Sequence, residues 1–216
     1  MRPVRAVIFD FHATLVDQGE ADEWLDLALA RAGSHDLGGA VDRAAVVQRL
    51  DEIWVYAREI DPLSDRDLSA QLHHDIFHRI MDGHVPDELR RALYDVMFDQ
   101  WVAYDEAPGV LEELRRRGIR TAILSNIGID LRPIMARERL VPDAVVLSCE
   151  VGVVKPDAGI FRAALQALGT SAEETLMVGD NWADDAAASA LGIRTLILPR
   201  TRGRDHGLDI VLRLTD

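Results

Sequence analysis

The sequence is poor in cysteine, in positive charge and in long apolar runs, and each shortage excludes a class of protein. Its one cysteine, Cys149, cannot form a disulfide within the chain. No apolar run approaches the roughly 18 residues that span a bilayer, because the longest ones are interrupted by Asp180 and Arg194. Asp and Glu number 37 against 24 Lys and Arg, and the net charge of −13 repels a nucleic-acid backbone. We therefore expect neither membrane insertion nor a nucleic-acid partner.

The remaining composition is that of a folded globular protein. Hydrophobic residues make up 48% and charged residues 28% of the chain, which are ordinary globular proportions. The length of 216 residues corresponds to one domain, or to one domain that carries an insertion. Met1 and Arg2 precede Pro3 and strand-forming residues instead of a signal peptide's apolar stretch, which favours a cytoplasmic location. The sequence does not determine the oligomeric state.

Short apolar runs alternate with helical segments along most of the chain. Five runs predict strands, at residues 4–9, 120–124, 144–147, 176–178 and 195–198. Three segments that end before a glycine predict helices, at residues 110–117, 160–168 and 183–191. This alternation predicts the α/β class, with a Rossmann-like parallel sheet.

A long segment, residues 20–104, interrupts the alternation. It contains no convincing strand, and its apolar residues recur at spacings of three and four, which is typical of helices. Breaks divide it into about four helices and lie at Gly38, Gly39, Pro62, Gly83 and Pro86. The pattern predicts an α/β core formed by residues 1–16 and 105–216, and an inserted helical cap formed by residues 17–104.

Polar residues stand at the ends of the predicted strands. Asp10, Ser125 and Asp180 end or follow three of them, and Lys155 lies in a loop beyond another. In parallel α/β sheets, ligands bind at the carboxyl ends of the strands. A carboxylate can attack phosphorus while a hydroxyl and an ammonium hold the phosphoryl oxygens, and Mg²⁺ prefers carboxylate oxygens. The set predicts a phosphate-handling site with magnesium bound by Asp10 and Asp180.

Four motifs around these residues resemble, in order, those of the haloacid dehalogenase-like hydrolase superfamily. They read VIFDFHATL at residues 7–15, ILSN at residues 123–126, VKPD at residues 154–157 and VGDNWAD at residues 178–184. Four motifs in the correct order are far more specific than one. The resemblance implies a Rossmann-like core, a helical cap, Mg²⁺ as cofactor and hydrolysis of a small organic phosphate.

The resemblance also implies a role for each motif residue. Asp10 would be the nucleophile and a metal ligand, while Ser125 and Lys155 would hold the phosphoryl group. Asp180 would bind magnesium together with Asp10 and the backbone carbonyl of His12.

The resemblance implies one further carboxylate that supports the site, and two neighbouring residues could supply it. Asp184 would orient Lys155 or a metal-bound water. Asp185 satisfies a looser spacing, but Asp184 keeps the better register with Gly192. Asn126 is expected to contact the substrate, and Thr14 either contacts it or holds the nucleophile loop.

The nucleophile motif departs from the family at His12. Phosphatases of the family usually have a second Asp there, which protonates the leaving group and then activates water. An imidazole with an ordinary pKa of about 6.5 can transfer protons in both directions near neutral pH. We therefore expect His12 to act as the acid and base. Neighbouring carboxylates would raise its pKa, and a bound dication would oppose them by lowering it.

Other interpretations remain. Metal-independent 2-haloacid dehalogenases of the family also lack the second Asp, but they have serines where this chain has Gly179 and Asp180. His12 could instead mark a degenerate member that only binds a ligand. A phosphoacceptor receiver, a further alternative, has its acidic residues in another order along the strands. Beyond the last strand, Arg200, Arg202 and Arg204 predict a solvated loop.

Overall fold

A five-stranded parallel sheet lies at the centre of the protein, with strand order β5-β4-β1-β6-β7. The structure is a computed structural model and describes residues 2–33, 41–201 and 203–215. The strands are β1 (Ala6–Phe9), β4 (Arg120–Ser125), β5 (Ala144–Leu147), β6 (Thr175–Gly179) and β7 (Arg194–Ile197). The predicted α/β class with a parallel sheet is confirmed, and the predicted strand ends are correct to within two residues.

Alternating side chains of the strands fill both faces of the sheet. In β1, Val7 and Phe9 belong to one apolar cluster, and Ala6 and Ile8 belong to another on the opposite face. All four are fully buried, as in a strand that is covered on both sides. The sheet therefore holds β1, and the residue that follows it, rigidly at the centre of the core.

Helices cover the sheet and form a separate helical segment. The core helices are α6 (Ala107–Arg116), α7 (Arg132–Arg137), α8 (Ser148–Val151), α9 (Ala158–Leu168) and α10 (Ile210–Leu214). The predicted helix at residues 183–191 is wrong in part, because turns precede a short 3-10 helix, Ala186–Leu191. In these turns the Asp185 carboxylate accepts a hydrogen bond from the Asn181 N–H at 3.0 Å.

The helical segment contains five α-helices among its described residues, one more than predicted. They are α1 (Ala21–Arg31), α2 (Arg43–Asp51), α3 (Ile53–Ile60), α4 (Ala70–Met81) and α5 (Asp87–Val96). The unpredicted break is at Glu52, which ends α2 and begins α3 without a glycine or proline. Two predicted breaks, Gly38 and Gly39, lie outside the described residues. The five helices share one apolar cluster.

A short antiparallel pair joins the two ends of this segment. It consists of β2 (Val16–Asp17) and β3 (Val102–Ala103), which are two residues each and too short for a sequence pattern to reveal. Trp54 and Phe98 pack against the apolar clusters of both the helical segment and the core. The division into a core and a cap stays a prediction. Within the described ranges, no helix is long and apolar enough to cross a membrane.

Candidate active site

Three neighbouring strands bring their polar end residues together. Asp10 follows β1 directly, Ser125 is the last residue of β4, and Asp180 follows β6. Because β1 lies between β4 and β6 with parallel register, these three residues share the carboxyl edge of the sheet. Asp10 and Ser125 are buried, and all three line one cleft.

Lys155 links two of the carboxylates in the buried floor of this cleft. Its Nζ lies 2.6 Å from Asp10 Oδ1 and 2.7 Å from Asp185 Oδ1, and it donates to both. Burial lowers the pKa of Lys155, but the attraction of the two carboxylates outweighs burial and the net pKa is raised. The lysine is therefore a permanent cation at the base of the cleft.

The backbone of Lys155 is held by Asn126. The Asn126 Nδ2 donates to the Lys155 carbonyl at 3.0 Å, and its Oδ1 accepts from the Lys155 N–H at 2.7 Å. Both ends of the amide are thus used within the protein. Asn126 therefore positions Lys155, and because it also lines the cleft, its predicted contact with the substrate stays a prediction.

Thr14 lies against the nucleophile rather than in the open part of the cleft. It is fully buried, and its Oγ1 is 3.5 Å from Asp10 Oδ2, to which it donates a weak hydrogen bond. Of the two sequence-based alternatives for Thr14, the geometry favours the one in which it holds the nucleophile loop.

The choice of Asp184 as the partner of Lys155 is corrected by the structure. The carboxylate beside the lysine belongs to Asp185, which is completely buried, whereas Asp184 pairs with Asn181 at 2.6 Å and with Arg58 at 3.5 Å. The turns before the 3-10 helix move the chain by one position relative to the expected register. The looser spacing had offered Asp185 as the alternative, and the contact with Lys155 selects it.

Gly179 explains how Asp185 reaches so far into the floor of the site. A Cβ at Gly179 would lie 2.1 Å from Asp185 Oδ2, closer than any real contact. Only glycine leaves room at this position for the carboxylate that supports Lys155.

Three carboxylates form an acidic cluster that faces the cleft. Oxygen atoms of Asp10, Asp180 and Asp185 all lie within 4.8 Å of one another. Burial raises the pKa of Asp10, and the nearby Asp180 adds to this, while Lys155 opposes it. Burial also raises the pKa of Asp180, against the effect of Arg200.

Arg200 contributes a second cation to this cluster. Its Nε donates to Asp180 Oδ2 at 2.5 Å, and the residue lines the cleft. The side chain of Arg200 is 53% exposed, as a solvated loop predicts, but its contact with Asp180 was not predicted, and Arg202 lies outside the described residues. A sequence signal existed, because Arg200 closely follows β7 at the same edge of the sheet.

The surroundings of His12 differ from those expected of an acid and base. Its ring lies between two indoles, with centroids 5.2 Å from Trp54 and 5.0 Å from Trp101. The Nε2 atom is buried and has no hydrogen-bond partner among the described residues. Burial, followed by the charge of Arg200, lowers the pKa of His12 to about 3. The imidazole therefore favours its neutral form, and its surroundings are apolar rings instead of the carboxylates that were expected to raise its pKa.

The cleft has a volume of about 580 Å³ and is shared by the strand ends and the helical segment. From the helical segment come Trp54 and Arg58 on α3, and Arg66 and Asp67 on the 3-10 turn that follows, Asp65–Leu68. Arg58, Arg66 and Asp67 were not predicted from the sequence. No local pattern marks them, because their position in the cleft depends on how the helical segment packs on the core.

A protein-family model matches most of the chain. The haloacid dehalogenase-like hydrolase family matches residues 4–192. A phosphoserine phosphatase of Thermus thermophilus is 39% identical over 124 residues, which cover 52% of this chain and about half, 48%, of that protein.

Dehalogenases are similar over more of the length. The (S)-2-haloacid dehalogenase 1 of a Pseudomonas species is 24% identical over 218 residues, covering 93% of this chain and 86% of the relative. The crystal structure of a dehalogenase superimposes with a TM-score of 0.72 at 24% identity, over 95% of this chain and 89% of the other. At that identity the superposition supports the fold.

Proposed function

Because the chain belongs to the haloacid dehalogenase-like hydrolase family, we propose that it is a magnesium-dependent phosphatase of a small organic phosphate. The observation that carries this proposal is the cluster of Asp10, Asp180 and Asp185 beside Lys155. Such a cluster combines a nucleophile, a cation for the phosphoryl oxygens and oxygen ligands for a hard metal ion.

The charges of the site fit a divalent cation. Three clustered carboxylates face two cations, Lys155 and Arg200, so the cluster carries a net negative charge when all three carboxyl groups are ionised. A phosphate monoester would bring further negative charge, and the two would repel each other. Asp10 and Asp180 are the residues that would hold Mg²⁺, whose hard oxygen preference matches this donor set. When bound, the ion would neutralise the phosphoryl oxygens and lower the repulsion.

The protein's own groups supply the remaining chemistry. The Asp10 carboxylate attacks phosphorus, and the bond to the leaving oxygen breaks as the aspartyl-phosphate forms. Lys155 and the Ser125 hydroxyl hold the phosphoryl oxygens in line with the attack. Asp185 holds the ammonium group of Lys155, and Asn126 holds its backbone. The cation is therefore preorganised before the substrate arrives. Water then attacks phosphorus and restores Asp10.

A 2-haloacid dehalogenase is the second candidate, and one observation favours it. Residue 12 is an aromatic ring packed against two tryptophans, not the carboxylate of the phosphatases. In that reaction Asp10 would displace a halide from carbon without a metal. The acidic residue Asp180 has no part in such chemistry. We therefore rank the dehalogenase second.

One screen separates the candidates. Alkyl and aryl phosphates and 2-haloacids are each incubated with the protein, with Mg²⁺ and after exhaustive chelation. We expect phosphate release that requires Mg²⁺ and no halide release. Halide release that survives chelation would replace the phosphatase by the dehalogenase. Binding of a phosphate ester with no turnover in any condition would identify a degenerate binding protein.

A further inference from the structure

A buried acidic residue of the helical segment, Asp67, lines the cleft and has no role in the chemistry described above. It lies on the 3-10 turn Asp65–Leu68, is only 6% exposed, and lines the same cleft as Asp10 and Ser125. Carboxyl groups this deeply buried are rare unless they are paired or functional.

The turn that carries Asp67 is clamped directly onto the core. The Ser148 hydroxyl, at the end of β5, donates to the Asp67 carbonyl and accepts from the Ile127 N–H at 2.8 Å. Beside it, a Cβ on Gly128 would lie 2.3 Å from the Arg66 carbonyl oxygen, so the two backbones touch. Both contacts come from the segments that follow β4 and β5. Asp67 is therefore held in a fixed place above the strand ends.

Burial disfavours the ionised form of Asp67. Burial raises its pKa to about 7, with repulsion from Asp61 and Asp184 in the same direction. Arg66, whose guanidinium lies 3.6 Å from the Asp67 carboxylate, and Lys155 oppose this shift. Arg66 also pairs with Asp61 at 3.2 Å, so its charge is divided between two carboxylates. Asp67 thus keeps a proton in a large share of molecules at neutral pH.

We infer that Asp67 is the catalytic acid that protonates the leaving oxygen, a role for which residue 12 offers no carboxyl group. The inference rests on the proposed phosphatase function. As the Asp10 oxygen bonds to phosphorus and the ester P–O bond breaks, the electron pair of that bond goes to the leaving oxygen. The Asp67 carboxyl gives its proton to this oxygen, so that an alcohol leaves and Asp67 remains as a carboxylate. The proton is regained from the water that hydrolyses the aspartyl-phosphate.

The test compares substrates that need an acid with substrates that do not. The Asp67→Asn variant is assayed for kcat/KM on an alkyl phosphate and on p-nitrophenyl phosphate with Mg²⁺. We expect a loss of about a hundredfold or more on the alkyl phosphate, the scale of general acid catalysis, and a loss below about threefold on the aryl ester, whose leaving group departs unprotonated. Because ionised Asp67 is disfavoured, the variant should melt no lower than the parent at pH 8.

The pH profile of the parent supplies a second test that needs no variant. Above the pKa of Asp67 the acid form is lost, so kcat/KM for the alkyl phosphate should fall tenfold per pH unit above about pH 7. The aryl ester should show no such fall between pH 6.5 and 9. Identical profiles for the two substrates would overturn the inference.

Asp61→Asn is the matched control, because Asp61 pairs with the same Arg66 but is not among the residues that line the cleft. A merely structural effect on the turn should reduce activity on both substrates equally. If Asp67→Asn behaves in that way too, or like the parent on the alkyl phosphate, Asp67 is not the acid. If the parent hydrolyses no phosphate ester at all, the proposed function fails and the inference fails with it.

Discussion

Substituting Gly128 by alanine should show how much the clamped turn, as distinct from the strand ends, contributes to catalysis. The new Cβ would lie 2.3 Å from the Arg66 carbonyl oxygen and 2.7 Å from the Ser69 carbonyl oxygen. Real Cβ atoms essentially never come closer than 3.0 Å, so the nearer backbone must move by the difference, about 0.7 Å. The φ angle of Gly128 lies outside the left-handed region, so alanine adds only this steric conflict.

Two consequences of this displacement can be measured. Overpacking of this kind costs about 1–3 kcal/mol of unfolding free energy, which denaturant titration will resolve. A shift near 1 Å in a catalytic group can cost about a hundredfold in rate, so kcat/KM on an alkyl phosphate should fall by ten- to a hundredfold. Activity on p-nitrophenyl phosphate should fall less, because the displaced group is the acid and not the nucleophile.

Gly109→Ala is the control for the substitution itself. Gly109 lies in α6, and a Cβ built there meets no atom within 4 Å. Alanine should stabilise this helix by about 0.5–1 kcal/mol and leave kcat/KM unchanged. If Gly128→Ala matches the parent in both stability and activity, the turn is not clamped as described and the reasoning is refuted.

Three further predictions concern the floor and the wall of the site. Asp180→Asn should raise the Mg²⁺ concentration for half-maximal activity by more than about tenfold, because losing a residue that only hydrogen-bonds a metal ligand already has an effect of that size. An unchanged Mg²⁺ titration would contradict the role of Asp180 as a ligand. His12→Phe keeps the contact with the tryptophans and should retain kcat/KM on an alkyl phosphate within about tenfold, whereas a hundredfold loss would restore His12 as the acid. Asp185→Asn should lower both stability and kcat, because a neutral amide cannot form an ion pair with buried Lys155. Asp184→Asn should have little effect on either quantity. The reverse order would support Asp184 as the partner of Lys155.

The strand ends of the site were predictable because their signals are local. Asp10, Ser125 and Asp180 follow short apolar runs, and parallel strands place such residues at one edge. The fold class follows from the same alternation of strands and helices. Lys155 needed the family motif, since its loop does not follow a strand directly.

Features that depend on distant packing were not predictable. The low pKa of His12 arises from burial among Trp54 and Trp101, which lie 42 and 89 positions away in the chain. The exchange of Asp184 for Asp185 results from turns whose register no hydrophobic pattern records. Asp67 lies at the cleft because its turn packs against Gly128 and accepts a hydrogen bond from Ser148.

The central claim is that Asp10 carries the phosphoryl group during turnover, and trapping that species tests it most directly. The protein is mixed with an aryl phosphate and Mg²⁺, quenched in acid within the first turnover and digested for mass spectrometry. The account predicts one added phosphoryl group on the peptide that contains Asp10, and none in folded Asp10→Asn. Turnover of the ester with no phosphoryl group on that peptide, or with the same activity in Asp10→Asn, would contradict it.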